Sequence, residues 1–160
     1  MHPFPHHYVV AAKGSAGGDV ELRSERLSTL RSASPAEFDG PGDRWSPETL
    51  LVAAVGDCLI LTFRAVARAS GVAWTSLECE VTGTLDRVER TTRFVAFEIH
   101  AHLQVPSGVD PERAKRAVAK AEQNCLISNS LNATIRVIPT VDVVAEPLSE
   151  VHGSLAEVGR

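Results

Sequence analysis

The chain has 160 residues, enough for one domain with a substantial core. Hydrophobic residues make up 44% and charged residues 22%, close to globular averages, which excludes collagen-like, coiled-coil and wholly disordered chains. The 16 basic and 20 acidic side chains give a formal charge of -4, and no basic patch is written into the sequence, so nucleic acid and anionic membranes are poor partners.

The chain begins without a secretory pattern. Met1 to Lys13 has no basic stretch leading into an apolar one, and a cytoplasmic location is the expectation. Tyr8 to Ala12 reads as a strand, Gly14, Gly17 and Gly18 as a turn, and Val20 to Arg23 and Leu27 to Leu30 as two further strands of a meander. Ala33 to Arg44, with Pro35, Gly40, Pro41 and Gly42, reads as a loop. Ser46 then caps a helix whose first position is Pro47. Leu51, Ala54, Val55, Cys58, Leu61, Thr62 and Ala65 recur at helical spacing, and Gly71 supplies a stop. The helix is apolar round most of its circumference, so it is expected to be buried on several sides. Its strongest apolar run, Leu50 to Phe63, is broken by Asp57 and falls short of the roughly 20 residues of a bilayer span.

Two strands follow, Ser76 to Leu85 and Phe94 to Val105, with a hairpin loop expected at Asp86 to Arg90. Gly83 marks a bulge or a close backbone approach. In the second strand, Val95, Phe97, Ile99, Ala101 and Leu103 form the core face, which leaves Phe94, Glu98, His100 and His102 opposite. Asp110 and Pro111 open a second helix, with Ala114, Ala117, Val118, Ala121 and Cys125 along one face. Ser128 to Leu131 is a further helical turn and Ala133 to Val144 a last strand. One domain is expected over residues 1–146, with a polar, mobile tail at 147–160.

Three cysteines, Cys58, Cys79 and Cys125, are too few and too odd in number for a secreted disulfide scaffold. Cys58 and Cys125 lie on the apolar faces of two helices. They are either a dithiol pair, one thiolate attacking and the other resolving, or two inert core residues. Glu48 starts the helix that carries Cys58. Ten residues separate them, roughly 15 Å, so Glu48 could serve that thiol only from a second subunit with an antiparallel helix. Otherwise it is an acidic residue complementing the helix dipole. Asp57 beside Cys58 opposes thiolate formation, so an activated Cys58 needs a cation, for which Arg23, Arg26, Arg31 and Arg44 are available. His100 and His102 share a strand face but lack a third and fourth ligand, and no metal site is assigned. Cys79 reads as a core or edge residue.

The segment Ser46 to Leu59, SPETLLVAAVGDCL, resembles the PEQLFAAGYAACF-type helix of the OsmC/Ohr family (osmotically inducible protein C and organic hydroperoxide resistance protein). Asn124 to Leu131, NCLISNSL, resembles that family's second cysteine motif, usually CPxS, with Leu126 where the proline stands. The resemblance spans roughly Tyr8 to Val144. It implies an α+β fold, with an N-terminal meander, a long central helix, a β-hairpin, a second helix and a final strand, assembled as an intertwined homodimer. It further implies a thiol peroxidase acting on organic hydroperoxides and, less efficiently, hydrogen peroxide, without cofactor. Cys58 would be the peroxidatic thiol and Cys125 the resolving one, joined as a disulfide in the cycle. Glu48 would hold an activating arginine, Arg31 or Arg44. Leu51, Val55, Leu59 and Phe63 would contact the apolar substrate, and a dithiol such as a lipoyl protein would be the reductant. The rival expectation is a small-molecule binding dimer without turnover.

Overall fold

The computed structural model describes residues 3–145, so the tail expected at 147–160 lies outside the described residues. Three short strands, β1 (Ala11–Lys13), β2 (Val20–Arg23) and β3 (Leu30–Ser32), pair antiparallel in the order β1-β2-β3. This is the expected meander with its first and third strands displaced by two or three residues. The left-handed Arg26 (φ 63°) sits in the turn, where the third strand was expected to begin. The loop to the central helix contains one 3-10 turn, Ala36–Phe38.

Helix α1 (Pro47–Ser70) begins with a reciprocal capping box. The Thr49 amide donates to Ser46 Oγ at 3.2 Å, and the Ser46 amide donates to Thr49 Oγ1 at 2.8 Å. At the other end Gly71 takes the left-handed conformation (φ 60°), and the Arg113 guanidinium donates to the Ser70 carbonyl. By length and composition α1 is apolar enough to cross a membrane, contrary to the reading of Leu50 to Phe63 alone. Its inner face, with Val55, Leu59, Phe63 and Val66, is nevertheless sealed against the sheet and the second helix.

That sheet has the order β4-β5-β6, with β4 (Ser76–Val88), β5 (Thr91–Pro106) and β6 (Thr134–Val144). The β4–β5 pair is antiparallel. The expected loop at Asp86 to Arg90 shrinks to Glu89 and Arg90, both at positive φ (49° and 71°), because the ladder continues to Val88↔Thr91. The register slips between Thr84 and Leu85, leaving Val95 without an opposite residue. That bulge turns Phe94 from the outer face onto the core face, where its ring stacks on Phe97 at 5.0 Å. Phe97, Ile99, Ala101, Leu103 and Val105 form the buried row. β6 runs parallel to β5, so the chain must cross over between them. The crossover is α2 (Pro111–Gln123), which buries Ala114, Ala117, Val118 and Ala121, followed by a single short helix, α3 (Leu126–Asn129).

The meander joins this body mainly through the Ala33 amide to the Trp45 carbonyl (2.9 Å) and the Ser32–Trp45 bridge. The chain exposes 12097 Å². A folded monomer of this size exposes about 7,800 Å², and fully solvated residues outside 3–145 would add at most about 2,700 Å². Tyr8, Val9, Val10, Leu27 and Leu61 are among the large apolar side chains left in solvent.

Candidate functional site: a buried dithiol

Cys58 lies in the middle of α1 on its inner face, and Cys125 is the residue from which α3 starts. The two elements meet, and the two thiols are near enough for Cys58 to influence the ionisation of Cys125. Both are free thiols; Cys58 is 8% exposed and Cys125 is fully enclosed. Thr62, one turn after Cys58, places its hydroxyl 3.9 Å from the Cys58 sulfur. Burial raises the Cys125 pKa above the ordinary 9.0. The Ser128 hydroxyl and backbone N–H lower it, and the Cys58 thiol raises it. Cys79 is on β4, away from this pair. Burial, and secondarily Glu78, pushes its thiol up to about 11, the state of an inert thiol.

The other sequence-derived residues fall in different places. Val55, Leu59 and Phe63 are enclosed in the core of the single chain. Periodicity placed them on the Cys58 face, but that face is where α1 meets the sheet. Leu51 lines a cavity of about 360 Å³, which it shares with Phe97 and Leu131. Glu48 lines a larger cavity of about 730 Å³ on the other side of α1, with Phe38, Trp45, Asp57, Cys79 and Phe94. Neither Cys58 nor Cys125 lines it. Glu48 Oε2 is buried there without a hydrogen-bond partner among the described residues. Asp57 is exposed and faces this cavity, with no ion pair among the described residues.

Arg44 is held by Asp43 (2.8 Å) and Asp19 (3.5 Å), and Arg23 by Glu21 (2.5 Å). Arg26 meets Glu25 at 3.4 Å. Arg31 sits opposite Glu21 in the β2–β3 register and makes no ion pair among the described residues. Arg31 and Arg44 flank a cleft that shares Trp45 and Thr49 with the Glu48 cavity, though neither arginine lines that cavity itself. His100 bonds Glu98 (3.0 Å) and His102 bonds Thr140 (2.7 Å) on the outer sheet face. Among the described residues no cluster of three His, Cys, Asp or Glu side chains is placed to hold a metal ion.

Ser128 and Thr62 were not singled out by sequence reasoning.

A central helix on a mixed sheet, with two buried free thiols where that helix meets a short turn, defines an α+β protein with a pair of internal cysteines. The OsmC-like protein family model matches residues 40–140, and the chain belongs to that family. Over 138 residues it is 28% identical to YmaD of Bacillus subtilis, itself called uncharacterized, covering 82% of this chain and 91% of that one. An organic hydroperoxide resistance protein OsmC from Legionella pneumophila is 26% identical with TM-score 0.70, covering 88% of this chain and all (100%) of that one. A putative organic hydroperoxide resistance protein from Vibrio cholerae, with captopril bound in one of its active sites, is 25% identical with TM-score 0.68, covering 88% and 95%. An OsmC-like protein of unknown function from Vibrio cholerae has TM-score 0.78 at 14% identity over 85% of this chain and all (100%) of its own; at that identity it speaks for the fold alone.

Proposed function

We propose that this protein is a cysteine-based peroxidase that reduces organic hydroperoxides and, less efficiently, hydrogen peroxide. The observation that carries the reading is the pair of buried free thiols, Cys58 and Cys125, on two elements that meet. A Cys58 thiolate attacks the distal peroxide oxygen; the S–O bond forms, the O–O bond breaks, and the alkoxide leaves and takes a proton to become an alcohol. Cys125 then attacks the Cys58 sulfenic acid, closing the disulfide with loss of water. A dithiol such as a protein-bound lipoyl group returns both thiols in the cytoplasm. Cys58, the less enclosed of the two, takes the peroxidatic role. The names of the Legionella and Vibrio relatives support the same substrate class.

The active form in this reading is an intertwined homodimer. The surface left bare by one chain, the thinly attached meander and the orphaned Glu48 carboxylate support it. Antiparallel α1 helices bring Glu48 towards the partner's Cys58. The cation that steadies the thiolate then comes from across the dimer, and Arg31, free of ion pairs among the described residues, is the better placed of the two arginines.

The test is turnover of cumene hydroperoxide with a lipoyl-type dithiol. Consumption that disappears in Cys58→Ser supports the reading, and consumption unchanged by that substitution refutes it. A second reading, a small-molecule binding protein, is favoured by the cavity of about 730 Å³ that contains neither cysteine of the pair. It predicts ligand-dependent thermal stabilisation that survives Cys58→Ser.

A further inference from the structure

The cavity of about 730 Å³ beside α1 carries charge of one sign. Glu37, Glu48 and Asp57 line it, and among the described residues no Lys, Arg or His does. Arg31 and Arg44 line the adjoining cleft, where Arg44 is already engaged by Asp43 and Asp19. The cavity floor is apolar, with Val52, Val81 and Phe94 half-buried. Glu48 Oε2 is sealed there without a hydrogen-bond partner among the described residues, and a buried carboxylate oxygen is costly to leave unmatched. Glu37 and Asp57 stand at the mouth, exposed and without an ion pair among the described residues. Phe38 and Trp45 complete the rim and are 52% and 49% exposed. Aromatic faces beside carboxylates attract an organic cation twice, through the ring quadrupole and through charge. The volume is in the range of small-molecule sites.

We propose that this cavity binds a small organic cation, an ammonium group carried on an apolar or aromatic body. The ammonium lies among the carboxylates and against the rings of Trp45 and Phe38, and the body covers the apolar floor. An inorganic cation would leave the floor and both rings unused, and an anion would add a fourth negative charge to three. The proposal deepens the small-molecule binding reading, on which it rests, by giving the ligand its class. It is independent of the peroxidase reading, which sends one arginine across the dimer to Glu48. That arginine would still leave Glu37 and Asp57 uncompensated, so the charge preference of the cavity holds in both arrangements.

The test uses the full chain, reduced, at physiological ionic strength, with three ligands of one shape. Tryptamine, tryptophol and indolepropionate are cationic, neutral and anionic. Calorimetric titration is expected to show tryptamine binding about ten-fold more tightly than tryptophol, with indolepropionate weakest. In the double variant Glu37→Gln, Asp57→Asn, tryptamine is expected to fall to the affinity of tryptophol, while tryptophol keeps its own. Both side chains are exposed, so the substitutions leave the core alone. The double variant Glu78→Gln, Glu80→Gln removes the same charge from exposed positions of β4 outside the cavity. It is expected to bind tryptamine as wild type does, which separates the site from the general attraction of a chain of formal charge -4. Tryptophol or indolepropionate binding as tightly as tryptamine overturns the proposal alone, as does wild-type tryptamine affinity in Glu37→Gln, Asp57→Asn. If none of the three ligands binds, the proposal and the binding reading fail together, and peroxide turnover by Cys58 is untouched by that result.

Discussion

Gly83→Ala tests the packing on which the position of α1 depends. A Cβ at residue 83 would stand 2.8 Å from Phe94 Cε1, 2.8 Å from Val52 Cγ2 and 3.1 Å from Phe97 Cε1. None of these atoms is free to retreat. The Phe94 ring stacks on Phe97, so one cannot swing without the other, and Val52 is β-branched on a helix and stiff at χ1. Replacing Gly by Ala in extended backbone would otherwise stabilise by about 0.4–1 kcal/mol through the unfolded state. Overpacking costs about 1–3 kcal/mol and wins. With an m value of about 1–3 kcal/mol/M, the urea midpoint should fall by roughly 1 M at constant protein concentration. Gly17→Ala is the matched control: nothing lies within 4 Å of its Cβ, and it should be neutral or slightly stabilising. A Gly83→Ala midpoint at or above that of wild type would refute the argument.

Leu61→Asp places a charge on the outer face of α1, where Leu61 is 50% exposed in the single chain. If the proposed dimer packs through this face, sedimentation should show a shift from dimer to monomer, while a dimer unchanged by the substitution would place the interface elsewhere. Cys79→Ala should keep full peroxide turnover, since a thiol pushed up to about 11 is ionised only about one part in ten thousand at neutral pH; a large loss would give Cys79 a role it lacks here. Disulfide closure should accelerate with pH. The Cys125 pKa lies above 9.0, so below it the thiolate fraction grows about ten-fold per pH unit. Quench measurements between pH 7 and 9 should show a rise without a plateau, and a flat profile would mean that ionisation of Cys125 does not limit closure.

The elements were legible where one local signal sufficed. Ser46, Pro47 and Gly71 marked both ends of α1, and the period-two pattern marked β5. Phe94 was misplaced because one bulged residue, Val95, reverses alternation, and nothing in the flanking sequence announces it. The hairpin was overestimated because Glu89 and Arg90 occupy positive φ, which is read from Asn or Gly and not from charged residues. At the site, the meeting of Cys58 and Cys125 was one of two open readings, since sequence gives a face but not what it faces. For the same reason the period of α1 set Val55, Leu59 and Phe63 beside Cys58 without showing that they are enclosed in the core.

The central claim is that Cys58 and Cys125 form a working redox pair, and peptide mapping after oxidation tests it most directly. Reduced protein is treated with one equivalent of cumene hydroperoxide, quenched by alkylation and analysed by mass. The account predicts a rapid loss of two hydrogens, mapped to a Cys58–Cys125 disulfide that is absent in Cys58→Ser. Thiols that both remain alkylatable, or a Cys58 that overoxidises without pairing, would contradict it.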